Sequence, residues 1–342
     1  MAKHIWLPSL LANPPERTLI YFICGNPGLI AFYSDFLNHL RYLLDGSGQK
    51  SSKKIAYDIF GRNLAGFADQ DFDISNAQSK PWNIEDQVDI IYADLVRRYL
   101  QQESSQRSSG CSESLQEPVK PFKSVILVGH SLGALIAMKI LVRHKGNPDL
   151  SMRCTIKRAA FLFPVFEQAA ASSRGRLIQR LRRLPTFDSY VHIYVQLVLF
   201  LVPAALLRAI LVHIFSFSLE PADILTKLLK SRFGGWQLSC LCQSALDTVQ
   251  ANNWDHGLCN NSCNPNSSDQ VTAAEAQFLF LYAKHDEWIT NEVRDNFIIG
   301  CREQIDRGNI KVVVNGGQLT HSFCVDQSEH LADMANSCSS LT

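Results

Sequence analysis

The segment that most restricts how this chain can fold runs from Val125 to His144. Val125-Ile126-Leu127-Val128 is an unbroken apolar run, Gly129-His130-Ser131-Leu132-Gly133 follows it, and Leu132 to His144 has the spacing of a helix. A run of this kind predicts a strand buried on both faces, as in a parallel sheet. The G-x-S-x-G between strand and helix predicts a tight turn with Ser131 at its apex in strained backbone, because side chains at Gly129 and Gly133 would collide with neighbouring backbone. The turn, with His130 inside it, exposes the serine hydroxyl and aims a helix N-terminus at it. The Leu132 backbone N–H is then a candidate oxyanion donor, and Ser131 is the candidate nucleophile.

The flanking sequence repeats the alternation. Strands are predicted at Leu19–Cys24, Ile55–Phe60, Thr155–Phe163, Phe278–Tyr282 and Ile310–Val314. Helices are predicted at Tyr33–Leu44, Ile84–Leu100 and about Glu292–Gln304. Strands alternating with helices predict an α/β chain with a mostly parallel central sheet flanked by helices. The segment 101–121, rich in Ser, Gln and Glu, has little to bury and is predicted to be a flexible insert. The alternation stops between about 165 and 270, so this stretch is expected to be a helical insertion.

A serine nucleophile needs a base, and the base needs an orienting acid. In α/β enzymes with such an elbow, acid and histidine follow the serine in chain order. His321 lies in the loop after the last predicted strand and is the candidate base. His330 is the competitor, but it falls in a predicted helix. Asp286 follows the penultimate strand, where an open α/β sheet collects its site, and is the favoured acid. Glu167, beyond the fourth strand, is the alternative. The turn Gly25-Asn26-Pro27-Gly28 follows the first predicted strand. Pro27 has no N–H, so the Asn26 backbone N–H is the candidate for a second oxyanion donor. This chemistry calls for no metal and no organic cofactor.

Composition narrows the partners. The 33 Lys and Arg against 32 Asp and Glu leave a net charge of +1, which gives no overall basic character for nucleic acid. Ten cysteines in 342 residues are too sparse for a disulfide scaffold. The stretch Met1 to Glu16, broken by Pro8, Pro14 and Pro15, does not read as a secretory signal, so reduced thiols are expected. Cys240, Cys242, Cys259 and Cys263 have a possible zinc spacing, though scattered thiols are the favoured reading.

These residues resemble one family, the lipid droplet-associated hydrolases, which are serine hydrolases of the α/β-hydrolase fold. Cys24-Gly25-Asn26-Pro27-Gly28 resembles the family's G-N-P-G oxyanion loop, and Gly129 to Gly133 resembles its nucleophile elbow. Leu162-Phe163-Pro164-Val165-Phe166-Glu167 with Ala171-Ser172-Ser173-Arg174-Gly175 resembles its L-F-P-x-x-E…S-P-N-G segment, without that segment's Pro and Asn. Tyr282 to Asp286 with Trp288 resembles its Asp loop, and Thr320-His321-Ser322-Phe323 its H-x-F. The resemblance spans about 18 to 325 and implies the α/β-hydrolase fold, residence on lipid droplets and the endoplasmic reticulum, and hydrolysis of lipid esters.

The insertion carries its own signal. Nineteen residues, Ser189 to Leu207, hold no formal charge, and a second apolar run continues to Leu219. A spanning helix needs about 20 apolar residues, but Pro203 breaks this one. Two arms, about 190–202 and 204–218, are expected, each too short to cross a bilayer. A droplet has one phospholipid layer over oil, so a hairpin or an in-plane helix suits it better than a span. Arg174, Arg176, Arg180, Arg182 and Arg183 precede the segment, and Lys227, Lys230 and Arg232 follow it. Such flanks favour an anionic lipid surface.

The sequence thus predicts a core of residues 1–164 and 271–342 with a helical, apolar cap at 165–270. The expected activity is that of a carboxylic ester hydrolase on sterol esters or acylglycerols, docked on the droplet or the endoplasmic reticulum through about 189–219. A droplet-bound structural or regulatory protein with weak or no hydrolysis is one alternative. A soluble esterase of small substrates is another.

Overall fold

The structure is a computed structural model that describes residues 3–11, 14–48, 55–68, 71–72, 80–107, 121–165, 172–250, 277–317 and 319–337. Its strands are β1 (His4–Leu7), β2 (Glu16–Ile23), β3 (Ile55–Arg62), β4 (Ser124–His130), β5 (Ile156–Leu162), β6 (Gln277–Ala283) and β7 (Ile310–Asn315). They form one sheet in the order β1-β3-β2-β4-β5-β6-β7. β1 pairs antiparallel with β3, and every other pairing is parallel. Six of the strands coincide with the predicted apolar runs. β1 escapes a search for such runs because it is a four-residue edge strand with alternating exposure.

Parallel neighbours require long crossovers, and helices supply them. α1 (Ser34–Gly48) follows β2, and α2 (Ile84–Arg107) precedes β4. α3 (Leu132–Lys145) and the short α4 (Pro148–Arg153) lead to β5. Among the described residues between β5 and β6 are the helices α5 (Ser173–Arg182), α6 (Phe187–Leu201), α7 (Ala204–His213), α8 (Leu219–Lys230) and α9 (Gly234–Gln250). α10 (Asn291–Gly300) and α11 (Arg302–Asp306) precede β7, and α12 (Ser328–Ser337) follows it.

Two boundaries and one thiol differ from expectation. α2 continues through 101–107, whose Gln, Glu and Arg residues are good helix formers; residues 108–120 of the expected insert lie outside the described residues. The helix predicted over Glu292–Gln304 is two helices meeting at Cys301, just after Gly300. Cys24, Cys154, Cys240, Cys242 and Cys324 are free thiols as expected, but Cys301 is disulfide-bonded.

The sheet is covered on both faces, so its central strand β4 is buried at every residue. Aromatic rings bind sheet to helix: Phe161 and Phe280 have centroids 4.7 Å apart, and Phe280 lies 4.7 Å from Phe297 of α10. Burying side chains of this size contributes about 1.5–3 kcal/mol each. Removing the Phe280 ring would cost about 3–5 kcal/mol, because the cavity left behind adds to the lost burial.

The described helices of the insertion are fastened to this core by polar contacts. Gln237 of α9 is fully buried; its Oε1 accepts the Trp82 N–H at 2.9 Å and its Nε2 donates to the Trp82 carbonyl at 2.8 Å. Ser244 Oγ accepts the Ile84 N–H at 3.1 Å, and Ser218 Oγ donates to the Val325 carbonyl at 2.6 Å. The expected break at Pro203 is present: α6 stops at Leu201 and α7 starts at Ala204. No residue of α6 is buried, and Phe200 and Leu201 are 82% and 79% exposed. Among the described residues no single helix is long and apolar enough to cross a membrane; α5 and α6 reach that length only as a pair bent by 104°.

The basic flanks are partly engaged within the protein. Arg182 pairs with Asp188 and Asp247 at 2.8 Å each, Arg174 pairs with Glu287, and Lys230 Nζ donates to the Leu199 and Val202 carbonyls.

Candidate active site

Ser131 caps the N-terminus of α3 with φ 53° and ψ −116°, a strained conformation for a residue with a side chain. The two glycines allow the turn. A Cβ on Gly133 would lie 2.2 Å from the Ile23 carbonyl oxygen, and one on Gly129 would lie 2.4 Å from the Gly133 oxygen. The elbow is thus pressed against the end of β2, and that contact brings the loop after β2 beside it. A Cβ on Gly25 would lie 3.1 Å from the Ser131 Cβ.

His321, from the loop after β7, directs Nε2 at Ser131 Oγ across 2.8 Å, and its Nδ1 lies 2.7 Å from Asp286 Oδ2. An ionised carboxylate can only accept, so Nδ1 carries the imidazole proton and Nε2 is left to accept from the serine hydroxyl. Asp286 sits three residues beyond β6. Its other oxygen accepts the Trp288 N–H at 2.7 Å and the Ile289 N–H at 3.2 Å, which fixes the carboxylate in a local turn. The His321 loop is fixed at its root. Asn315 Oδ1, at the end of β7, accepts the Gly317 N–H at 2.9 Å and the Leu319 N–H at 3.2 Å, and Gln327 Oε1 accepts the Thr320 N–H at 2.8 Å.

The backbone N–H groups of Asn26 and Leu132 find no hydrogen-bond partner among the described residues. Both residues line a cavity of about 230 Å³ together with Ser131 and His321. Its walls are chiefly apolar. Phe32 and Trp288 come from the core, and Val165, Phe217, Leu225, Ala245 and Leu246 come from the insertion. Arg174 stands at this cavity with its guanidinium 5.7 Å from the Trp288 ring centroid.

Sequence reasoning missed what lies behind the serine. His130 is buried and hydrogen-bonded to Tyr33, and Phe163 and Phe323 pack around it. Phe163 has φ 48°, left-handed backbone that is unusual for a residue with a bulky side chain. These contacts join distant segments, so no local motif announces them. Burial pushes the His130 pKa well below its usual value and pushes the Cys324 thiol up to about 12.

Of the remaining candidates, His330 is exposed on α12, away from this cavity. Glu167 lies outside the described residues, as do Cys259 and Cys263. Cys240 and Cys242 both sit on α9, two positions apart and so on different helix faces. No group of three or more metal-ligating side chains is present among the described residues.

Residues 16–324 match the model of a family described as lipid-droplet associated hydrolase. Solved structures share the fold at low identity. A peroxisomal alpha-beta-hydrolase from Saccharomyces cerevisiae is 12% identical with a TM-score of 0.55, over 99% of this chain and 88% of the other. The juvenile hormone epoxide hydrolase of the silkworm Bombyx mori is 12% identical with a TM-score of 0.52, over 99% of this chain and 72% of the other. A haloalkane dehalogenase from Bradyrhizobium elkani is 11% identical with a TM-score of 0.51, over 100% and 98%.

Proposed function

The chain belongs to the lipid-droplet associated hydrolase family, and on that premise we propose that it is a serine ester hydrolase acting on sterol esters or acylglycerols at the droplet surface. One observation carries the reading: the hydrogen-bonded line Ser131–His321–Asp286 opens into a largely apolar cavity. A serine, a base and an acid in this order suit acyl transfer, and apolar walls suit an acyl chain or a sterol.

In this mechanism Ser131 Oγ attacks the ester carbonyl carbon while its proton passes to His321 Nε2. The carbonyl oxygen becomes an oxyanion facing the Asn26 and Leu132 N–H groups. One such donor is typically worth about 10²–10³ in rate. The imidazolium, paired with Asp286, then gives its proton to the alcohol oxygen as the C–O bond breaks. Water, deprotonated by His321, attacks the acyl-enzyme, and the acid leaves as Ser131 regains its proton.

We read residues 1–164 and 271–342 as the hydrolase core and 165–270 as a cap that also serves as the docking element. The exposed apolar faces of α6 and α7 support attachment to a phospholipid monolayer, on the droplet or the endoplasmic reticulum, through about 189–219. α6 is about 22 Å long at ~1.5 Å per residue, less than the ~30 Å hydrocarbon core of a bilayer. An in-plane helix or a hairpin fits that length. The same exposed faces also support a second reading, a droplet-bound structural or regulatory protein in which hydrolysis is weak.

A panel of acylglycerols, sterol esters and short acyl esters tests the first reading, with Ser131→Ala as control. Hydrolysis of a lipid ester that falls at least about 10³-fold in the variant is expected. Hydrolysis that survives in Ser131→Ala, or a panel with no hydrolysed ester, would overturn it. Unchanged droplet size in cells carrying Ser131→Ala would favour the second reading.

A further inference from the structure

Behind Ser131, three hydrogen bonds run in a line from the His321 loop to the loop after β2. His130 Nε2 lies 2.9 Å from the His321 carbonyl oxygen, and His130 Nδ1 lies 2.8 Å from Tyr33 Oη. Tyr33 Oη in turn accepts the Gly25 N–H at 3.0 Å. Each direction follows from the one before. The carbonyl can only accept, so His130 Nε2 carries the proton; the bare Nδ1 can only accept, so Tyr33 donates to it and turns a lone pair to Gly25. This line needs a neutral His130, and burial favours the neutral form.

We propose that His130 and Tyr33 are positioning residues, which hold the backbone of His321 and the Gly25–Asn26 oxyanion segment in one register. The inference rests on the ester-hydrolase reading above. Neither side chain is needed to carry a proton to substrate. Each end of the line is attached to a segment that supplies a reacting group: the imidazole of His321 at one end, and the Asn26 N–H, one residue past Gly25, at the other. The base and the oxyanion donor are thereby tied to each other through the elbow that carries the nucleophile.

The surroundings leave the line little freedom. The His130 ring centroid is 4.9 Å from Phe323 and 6.1 Å from Phe163. Phe323 itself is fully buried and also meets Tyr33 at 6.1 Å and Phe36 at 5.4 Å. A Cβ added to Gly25 would lie 3.0 Å from His130 Nδ1. Tyr33 and His130 are 3% and 5% exposed where they meet the cavity, so losing one partner leaves a buried polar group unpaired. Misplacing a reacting group by about 1 Å can cost about 10² in rate.

Three variants cut the line at different points. Tyr33→Phe removes the central hydroxyl. His130→Asn keeps an acceptor near Nδ1 but loses the bond to His321. His130→Gln keeps a donor near Nε2 but loses the bond to Tyr33. For each folded variant, the readouts are the rate at which a fluorophosphonate labels Ser131, kcat and KM on a water-soluble ester, and the pH profile of kcat/KM. Tyr33→Phe and His130→Asn are expected to lower kcat and the labelling rate about 10–100-fold with KM within about threefold. Tyr33→Phe added to His130→Gln is expected to cost less than the product of the two single losses, because the Tyr33–His130 bond is already absent in either. Labelling within twofold of wild type in folded Tyr33→Phe and His130→Asn would overturn the proposal, as would losses confined to KM. Wild-type protein that fails to label would sink the ester-hydrolase reading, and this inference with it. That outcome is distinct from labelling equally fast in wild type and variants.

Discussion

His321 Nε2 lies 2.8 Å from Ser131 Oγ although 190 positions separate them in the chain. The parallel sheet accounts for the meeting. β4 and β7 deliver their C-terminal loops to the same edge, and β6, lying beside β7, brings Asp286 to the far side of the imidazole. The role proposed for Asp286 rests on that geometry. Asp286→Asn would present an amide where His321 Nδ1–H needs an acceptor and would favour the wrong tautomer. A kcat loss of about 10³–10⁴-fold on an ester substrate is expected, with little change in thermal midpoint. Near-wild-type kcat would remove Asp286 from the mechanism.

Gly133 is the steric hinge of the elbow. Its missing Cβ would overlap the Ile23 carbonyl oxygen at 2.2 Å and the Cys24 oxygen at 2.5 Å. Gly133→Ala must therefore push β2 and α3 apart, at about 1–3 kcal/mol if the packing yields. A thermal melt should register the loss, and fluorophosphonate labelling should fall with it. A melt and a labelling rate equal to wild type would contradict the geometry.

The insertion should set the chain length of the substrate. Ala245 and Leu246 of α9 face the cavity beside Ser131. Ala245→Trp is expected to lower kcat/KM for long acyl esters about tenfold or more while short esters stay within about threefold, since a few methylenes' worth of pocket carries that much discrimination. Equal losses on short and long esters would mean that this wall does not bind the acyl chain.

Phe200 and Leu201 are the most exposed apolar residues of α6. Each contributes about 1.5–3 kcal/mol when moved from water into an apolar phase. Phe200→Asp with Leu201→Asp should weaken binding to a phospholipid-coated triglyceride emulsion at least about 10²-fold and leave the thermal midpoint unchanged. Flotation equal to wild type would show that the protein attaches elsewhere.

Burial lowers the pKa of His130 and of His144, whose Nδ1 and Nε2 meet Tyr92 Oη at 2.9 Å and the Cys154 carbonyl at 2.8 Å. Below the unfolded value near 6.5 the unfolded chain binds more protons than the folded one, so stability falls as pH drops through that value. The fall levels off below the folded pKa. Urea unfolding between pH 7.5 and 5 should lose up to about 1.4 kcal/mol per unit for each fully shifted histidine, and His144→Gln should flatten the slope. A slope identical to wild type would exclude His144 from this effect.

What could be read from the chain depended on how local its cause was. The elbow was legible because Gly129 and Gly133 answer a clash within a few residues. The central strands β2 and β4 were legible because burial on both faces demands unbroken apolar runs, and the others carry shorter apolar stretches at the spacing of an alternating chain. β1 was not, since a half-exposed edge strand of four residues has no such demand. α8 and α9 were read only as part of a helical stretch, and their seating through Gln237 and Ser244 depends on partners some 160 positions away. Likewise, nothing near Tyr33 in sequence points to His130. The ion pairs that occupy Arg174 and Arg182 depend on folded geometry, so the basic flank looked more available in sequence than it is.

Covalent capture tests whether Ser131 is a nucleophile activated by His321. Purified protein is treated with a fluorophosphonate and digested, and the modified peptide is sequenced by mass spectrometry. One adduct per chain is expected, on Ser131, absent in Ser131→Ala and formed at least about 10²-fold more slowly in His321→Ala. An adduct on another residue, or none on Ser131 in folded wild-type protein, would contradict it.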